Sequence, residues 1–365
     1  MSVRKFPRFL LGYYEPQSQL HACQTTLEKP ECDLLMCLSK RCKQIAAGVL
    51  VAALALLSSV AHSADRIRVA AQFTGTLGWE LAVLRAHGLD RQANLDIETI
   101  ELASTEAGQI ALRGGSVDLI LSDWLWVSRE RALGDDLVFY PYSSTLGAVM
   151  VPATSPIEDV AGLKGRKLGV AGGPLDKSWL LLQAFARQSG LDLKKQSDII
   201  YGAPPLLAEK ALQGETDATL TFWNFCARLE AKGMRRAVNM ADVMKRLGAT
   251  GPVAMIGYVF PGAWAEHNRD VLDRFLTAAD QAKKILADSP SEWQRLVSRI
   301  GTSDSAALEI YRRRYAEGIP HRSLVDEAAD AKALYRVLAE VGGRDLVGSA
   351  RELAPGTFYM AGPRE

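Results

Sequence analysis

The chain has 365 residues, 48% of them hydrophobic and 23% charged, with 43 basic against 42 acidic side chains. That balance excludes a disordered chain, and the length allows two domain-sized cores. Before residue 64 seven basic residues stand against four acidic ones, which leaves 36 basic and 38 acidic beyond it, so the rest is near neutral and gives nucleic acid no electrostatic handle.

Lys40-Arg41-Cys42-Lys43 precedes an uninterrupted apolar run over 45–57, which gives way to small residues ending in Ala61-His62-Ser63-Ala64. These are the basic, apolar and cleavage regions of a secretory signal. The run is short for a membrane-spanning helix and is followed by polar sequence, so cleavage near Ala61 to Ala64 and a soluble exported product are expected. Such signals start close to an initiator methionine, which makes Met36 a candidate start and 1–35 an extension. Cys23, Cys32, Cys37 and Cys42 all precede the cleavage zone. Cys226 is left alone, and one thiol builds neither a disulfide framework nor a cysteine metal site.

From Arg66 onward β-rich runs alternate with helical ones: a strand over 66–71, a helix over 81–87 ended by Gly88, a strand over 98–102, a helix over 105–112 ended by Gly114-Gly115, and a strand over 117–121. This alternation predicts a parallel or mixed α/β sheet. About a hundred residues later the order recurs. Ala111-Leu112-Arg113-Gly114 matches Ala211-Leu212-Gln213-Gly214, and the run from Asp118 to Trp124 matches that from Asp217 to Trp223; Val69-Ala70 matches Val170-Ala171, and Trp79 matches Trp179. The repeat predicts two similar lobes.

Two apolar runs suit crossings between the lobes: 146–151 before Pro152, and 253–260 before Pro261. The expected division is an extension and signal over 1–63, a first part of lobe 1 over 65–150, lobe 2 over 151–252, and a return strand with C-terminal helices over 253–365. Val271, Leu272, Phe275, Leu276 and Ala279 follow helical spacing, as do Trp293, Leu296, Val297 and Ile300. The triplet Arg312-Arg313-Arg314 reads as a solvated helix face.

Loops at the carboxyl ends of strands in open α/β sheets form binding crevices, and two facing lobes merge two crevices into a cleft. In lobe 1 these loops nominate Gln72, Phe73, Thr74, Thr76 and Trp79, then Ser122, Asp123, Trp124 and Trp126. In lobe 2 they nominate Gly172, Gly173, Asp176 and Lys177, then Thr221, Phe222, Trp223 and Asn224, with Tyr258 from the return strand. Asp123 and Asp176 facing Trp79, Trp124, Trp126, Trp179 and Trp223 predict an aromatic or cationic organic ligand, or a metal complex, over a simple oxyanion. Lys177 and Arg129 are the cations able to pair with those carboxylates. The histidines beyond the signal are His87, His267 and His321, none in a nominated loop; no HExxH helix or Walker loop occurs. No catalytic residue, metal site or cofactor is therefore expected.

The stretch from Ser155 through Gly162-Leu163-Lys164-Gly165-Arg166-Lys167-Leu168-Gly169-Val170, with Ala111-Leu112-Arg113-Gly114-Gly115-Ser116-Val117-Asp118, resembles periplasmic substrate-binding proteins of the nitrate/taurine/sulfonate type and the related thiamine-precursor binders. The resemblance runs from about Arg66 to at least Ala287. It implies the type II periplasmic-binding fold: two α/β lobes, a hinge and a central ligand cleft. It further implies a periplasmic, monomeric component of an ABC import system that closes on a small-molecule solute and delivers it to an inner-membrane permease. The alternatives are a thiamine-precursor-type enzyme on the same fold and a solute sensor that works without an importer.

Overall fold

The computed structural model describes residues 64–72 and 75–360. The predicted signal and the candidates Phe73 and Thr74 lie outside these residues. Among the described residues ten strands are formed: β1 (Asp65–Gln72), β2 (Leu95–Leu102), β3 (Ile120–Asp123), β4 (Leu137–Ser143), β5 (Gly147–Pro152), β6 (Lys167–Ala171), β7 (Asp198–Gly202), β8 (Ala218–Phe222), β9 (Met234–Asn239) and β10 (Ile256–Pro261).

Two sheets result. In the first, β1 and β2 run parallel, β10 lies antiparallel between β3 and β4, and a parallel bridge between Val69 and Leu119 joins the two parts. The order is therefore β2-β1-β3-β10-β4. The second sheet reads β7-β6-β8-β5-β9, with β5 antiparallel to both neighbours. The two orders match position by position, and each sheet takes its antiparallel strand from outside its own run of four. Strand exchange makes the chain cross twice, through 144–146 and 247–255.

The predicted repeat has a physical basis in one carboxylate per lobe. Asp118 accepts from the Arg68 backbone N–H at 2.8 Å while its own N–H donates to the Arg68 carbonyl at 2.8 Å. Asp217 does the same with Lys167, at 2.8 and 2.9 Å. Each aspartate stitches the entry of its lobe's third strand to the start of the first, which fixes the parallel register.

The expected end of the first part of lobe 1 at residue 150 falls inside β5, all of which pairs with β8 and β9. Gly147 causes the early switch. Its φ is +140°, and a Cβ there would stand 2.0 Å from the Thr221 carbonyl oxygen, so only glycine admits this approach of β5 to β8.

The C-terminal helices cover the first sheet and also grip both crossings. Ser144 N–H donates to the Gly318 carbonyl at 2.9 Å. The helix Leu324–Val347 packs on the helices Lys177–Gln188 and Trp124–Ala132. From its first turns Glu327 accepts from Ala254 N–H and Asp330 from Thr250 N–H, both at 2.9 Å. Of the basic triplet, Arg312 and Arg314 are tied down by Glu309, Glu230 and Glu317. Among the described residues, no helix is long and apolar enough to cross a membrane.

Candidate functional site: a cleft lined by helix starts

A cavity of about 650 Å³ lies between the lobes. Its polar walls come from six strand-to-helix junctions, where β1, β2, β3, β6, β7 and β8 end and helices begin. Lobe 1 contributes Gln72, Thr76, Ser104, Thr105, Glu106, Ser122 and Asp123; lobe 2 contributes Asp176, Lys177, Ser178, Ala203, Pro204, Phe222, Trp223 and Asn224. The first crossing adds Thr145 and Leu146, beside Tyr142 and Ser143 from the end of β4, and the second adds Met255.

Helix starts present unpaired N–H groups and a partial positive charge, a natural seat for anions. Here much of that capacity is already used. Asp123 accepts from Trp126 N–H at 3.0 Å and so caps the helix Trp124–Ala132. Asp176 accepts from Trp179 N–H at 3.0 Å and caps Lys177–Gln188. Ser104 caps Thr105–Arg113 through Ala107 N–H at 3.2 Å. Pro204 and Pro205 bring no N–H at all to the start of Pro204–Leu212.

The charges are unequal. Among the described residues lining the cavity, Lys177 is the one cation, against Glu106, Asp123 and Asp176. Lys177 Nζ lies 2.8 Å from Asp123 Oδ2, so an ion pair joins lobe 2 to lobe 1 across the cavity. Burial pulls the Lys177 ammonium down, but Asp123, with Asp176 and Glu106, outweighs burial and holds it above its ordinary value. Burial raises the Asp176 carboxyl to about 6, with the Trp179 N–H and Lys177 opposing only in part.

The uncharged polar walls are mostly paired with each other. Gln72 donates to Thr105 Oγ1 at 2.6 Å, Gln109 to Ser122 Oγ at 3.0 Å, and Thr76 Oγ1 lies 3.1 Å from the Tyr142 hydroxyl. Behind Tyr142 the Lys283 ammonium sits 4.9 Å from its ring centre and 3.2 Å from the fully buried Glu80. Tyr258 and Tyr315 also donate to Glu80, and Lys283 donates to the Tyr258 hydroxyl at 2.7 Å. Burial raises the Glu80 carboxyl despite Lys283.

Of the nominated residues, Gln72, Thr76, Ser122, Asp123, Asp176, Lys177, Phe222, Trp223 and Asn224 line the cavity. Others do not. Trp79 is core, edge-on to Trp223, Trp293 and Tyr311. Trp124 and Trp126 are both buried, in a helix whose residues 124–128 are all buried, and Trp179 is buried with its indole N–H on the Tyr201 hydroxyl at 3.1 Å. The expected ring of five indoles thus reduces to Trp223, because a residue in the first turn after a strand is as easily directed into the sheet-helix core as into the cleft. Tyr258 lies beneath the wall and Thr221 within β8. Gly172, at φ +87°, makes the turn that folds Asp176 back over its helix, and Gly173 lies away from the cavity lining.

The residues missed are chiefly Ser104 to Glu106, Ala203 to Pro205, and Tyr142, Ser143, Thr145 and Leu146. The first two groups follow β2 and β7, so applying the strand-end rule to every parallel strand rather than to the first and third of each lobe finds them. The third sits where the chain leaves the first sheet, and the apolar run at 146–151 marked its neighbour.

Residues 81–293, more than half of the chain, match the family model described as NMT1/THI5 like. The chain belongs to that family. No match is found among curated proteins. Among solved structures, this family member resembles the periplasmic aliphatic sulphonate binding protein SsuA from Escherichia coli, with 20% identity and a TM-score of 0.64 over 81% of this chain and 97% of that one. It also resembles the alkanesulfonate-binding protein SsuA from Xanthomonas axonopodis pv. citri bound to MOPS, with 21% identity and a TM-score of 0.60 over 82% and 99%. A ligand binding component of an ABC-type import system from Staphylococcus aureus with zinc bound gives 12% identity and a TM-score of 0.57 over 80% and 96%. The NMT1/THI5-like chain therefore has the two-lobed periplasmic-binding fold. The zinc belongs to that relative; among the described residues here, no cluster of three or more His, Cys, Asp or Glu is placed to hold a metal.

Proposed function

We propose that this chain is the exported solute-binding component of an ABC importer, which closes its two lobes on a small organic molecule and presents it to an inner-membrane permease. The observation that carries the reading is a cavity of about 650 Å³ walled by both lobes, with the chain crossing between them twice. That volume is within the usual range for small-molecule sites. The family and the titles of its structural neighbours support the same role. Export rests on the basic, apolar and small-residue succession before residue 64, and β1 opens at Asp65, directly after the expected cleavage zone.

The solute is uncharged or carries a cationic or donor group, and it is not a simple oxyanion. Three carboxylates against one already paired lysine disfavour an unpaired anion, and the aspartate caps occupy N–H groups an anion needs. Phe222, Trp223 and Phe225 offer it an aromatic wall on one side. A volume of this size also exceeds what nitrate or sulfate fills.

Mass spectrometry of whatever co-purifies with the exported protein identifies the solute, and calorimetry tests its class. Nitrate, sulfate, taurine and alkanesulfonates are expected to give no binding heat. Tight binding of any of them overturns the class. Solution scattering with the identified solute is expected to give a smaller radius of gyration, and no compaction under saturating solute overturns the closing mechanism.

A further inference from the structure

Lys177 opens the first helix after β6 in lobe 2, and Asp123 ends β3 in lobe 1. Their 2.8 Å contact exists only while the lobes are together. The Asp123 side chain is 6% exposed and that of Lys177 32%, so this is a pair partly withdrawn from water, where charges interact more strongly than on the surface. We infer that the Lys177–Asp123 pair is a latch that stabilises the closed arrangement of the lobes across the cleft, leaving the solute to bind beside it.

The inference rests on the two-lobe reading above and adds to it a direct contact between the lobes. Two features argue for a latch rather than a shared anion seat. Asp123 is fixed at its post by capping Trp126 N–H, so it is presented to lobe 2 in one position. Asp176 and Glu106 add negative potential around Lys177, and both favour keeping its charge. A solute acid that drew Lys177 away would leave Asp123 buried without its partner, which is strongly unfavourable.

The test uses exhaustively dialysed exported protein, which after the expected cleavage lacks Cys23, Cys32, Cys37 and Cys42, with spin labels on Ile110→Cys and Leu206→Cys, exposed sites on helices of opposite lobes outside the cavity lining. Native Cys226 is buried and its thiol is pushed up to about 12 by burial, so it stays unlabelled. Asp123→Asn keeps a capping oxygen and Lys177→Met keeps chain length. Without solute, the wild-type distance distribution is expected to contain a short component beside a long one, and saturating solute is expected to enlarge the short one. Each substitution is expected to lower the short-to-long ratio roughly tenfold, equivalent to about 1.4 kcal/mol, and the double variant no further than either single. A wild type with no short component, unchanged distributions in the variants, or additive single effects overturns the latch. If one variant fails to fold, the other decides. Solute-driven closure is read separately by the scattering experiment, so either idea can fall alone.

Discussion

The two lobes share a frame and differ in what stands behind the wall of the cleft. In lobe 1 the helix Leu77–Ala86 backs onto the buried Glu80–Lys283 pair and three tyrosines. In lobe 2 the equivalent helix Lys177–Gln188 buries its own leucines against the helices Leu324–Val347 and Met240–Arg246, with one indole hydrogen bond from Trp179 to Tyr201. The repeated positions set the register, and the chemistry between them diverged. A matched residue therefore says where a side chain begins, and its neighbours decide what it does: Trp79 and Trp179 both start a helix, yet one joins an aromatic cluster and the other donates to a tyrosine.

The largest effect that breaks this comparison is expected at Lys283. Lys283→Met strands Glu80 at zero exposure with only tyrosine donors, and removing one member of a buried pair costs about 3–5 kcal/mol. Tyr201→Phe, its counterpart in lobe 2, removes one ordinary hydrogen bond and is expected to cost about 1 kcal/mol. Denaturant melts of both variants check the ratio. Adding Glu80→Gln to Lys283→Met is expected to recover part of the loss, because the unpaired charge is then gone. Equal losses in the two lobes would erase the proposed difference.

The second expected effect compares one bond in two settings. Asp118 is nearly buried and also holds the Arg68 guanidinium at 3.1 and 2.5 Å, whereas Asp217 is exposed. Asp118→Ala is expected to cost about 1–3 kcal/mol and Asp217→Ala roughly 0.5–1 kcal/mol. A reversed order in melting would mean that the frame is fixed elsewhere in lobe 1.

The fold was legible because its signals are local and repeated. Alternating runs give the elements, the hundred-residue offset gives the second lobe, and the apolar runs before Pro152 and Pro261 mark the antiparallel strands that cross between sheets. The site was legible only as loops. Asp123, Asp176 and Lys177 were found because charge at a strand end is conspicuous, but sequence left open whether Lys177 pairs with Asp123, since that contact depends on how two remote segments meet. The indoles misled because side-chain direction at a strand-to-helix junction is set by packing. Tyr142 and Glu80 were invisible as partners: their link passes through Lys283, which lies beyond β10 and is brought back by the C-terminal helix Arg269–Asp288.

The last expected effect concerns the start of the first helix in each lobe, neutral Thr76 in one and Asp176 in the other. The folded-state value of about 6 at Asp176 lies above the ordinary 3.8, so between those pH values the folded protein keeps a proton the unfolded chain has released. Its stabilising contribution is therefore complete below about pH 4 and is lost as pH rises through 6. Because Asp176 borders the open cavity, solvent weakens the burial penalty, and the ionised carboxylate is expected to cost the folded state about 1–2 kcal/mol at pH 8. Asp176→Asn keeps the cap on Trp179 N–H and removes the charge. The variant is expected to melt a few degrees higher at pH 8 and to match the wild type near pH 4, with less change between. A variant that melts lower at pH 8 would show that the ionised aspartate is a net stabilising cap, making the two helix starts alike in energy despite their different charge.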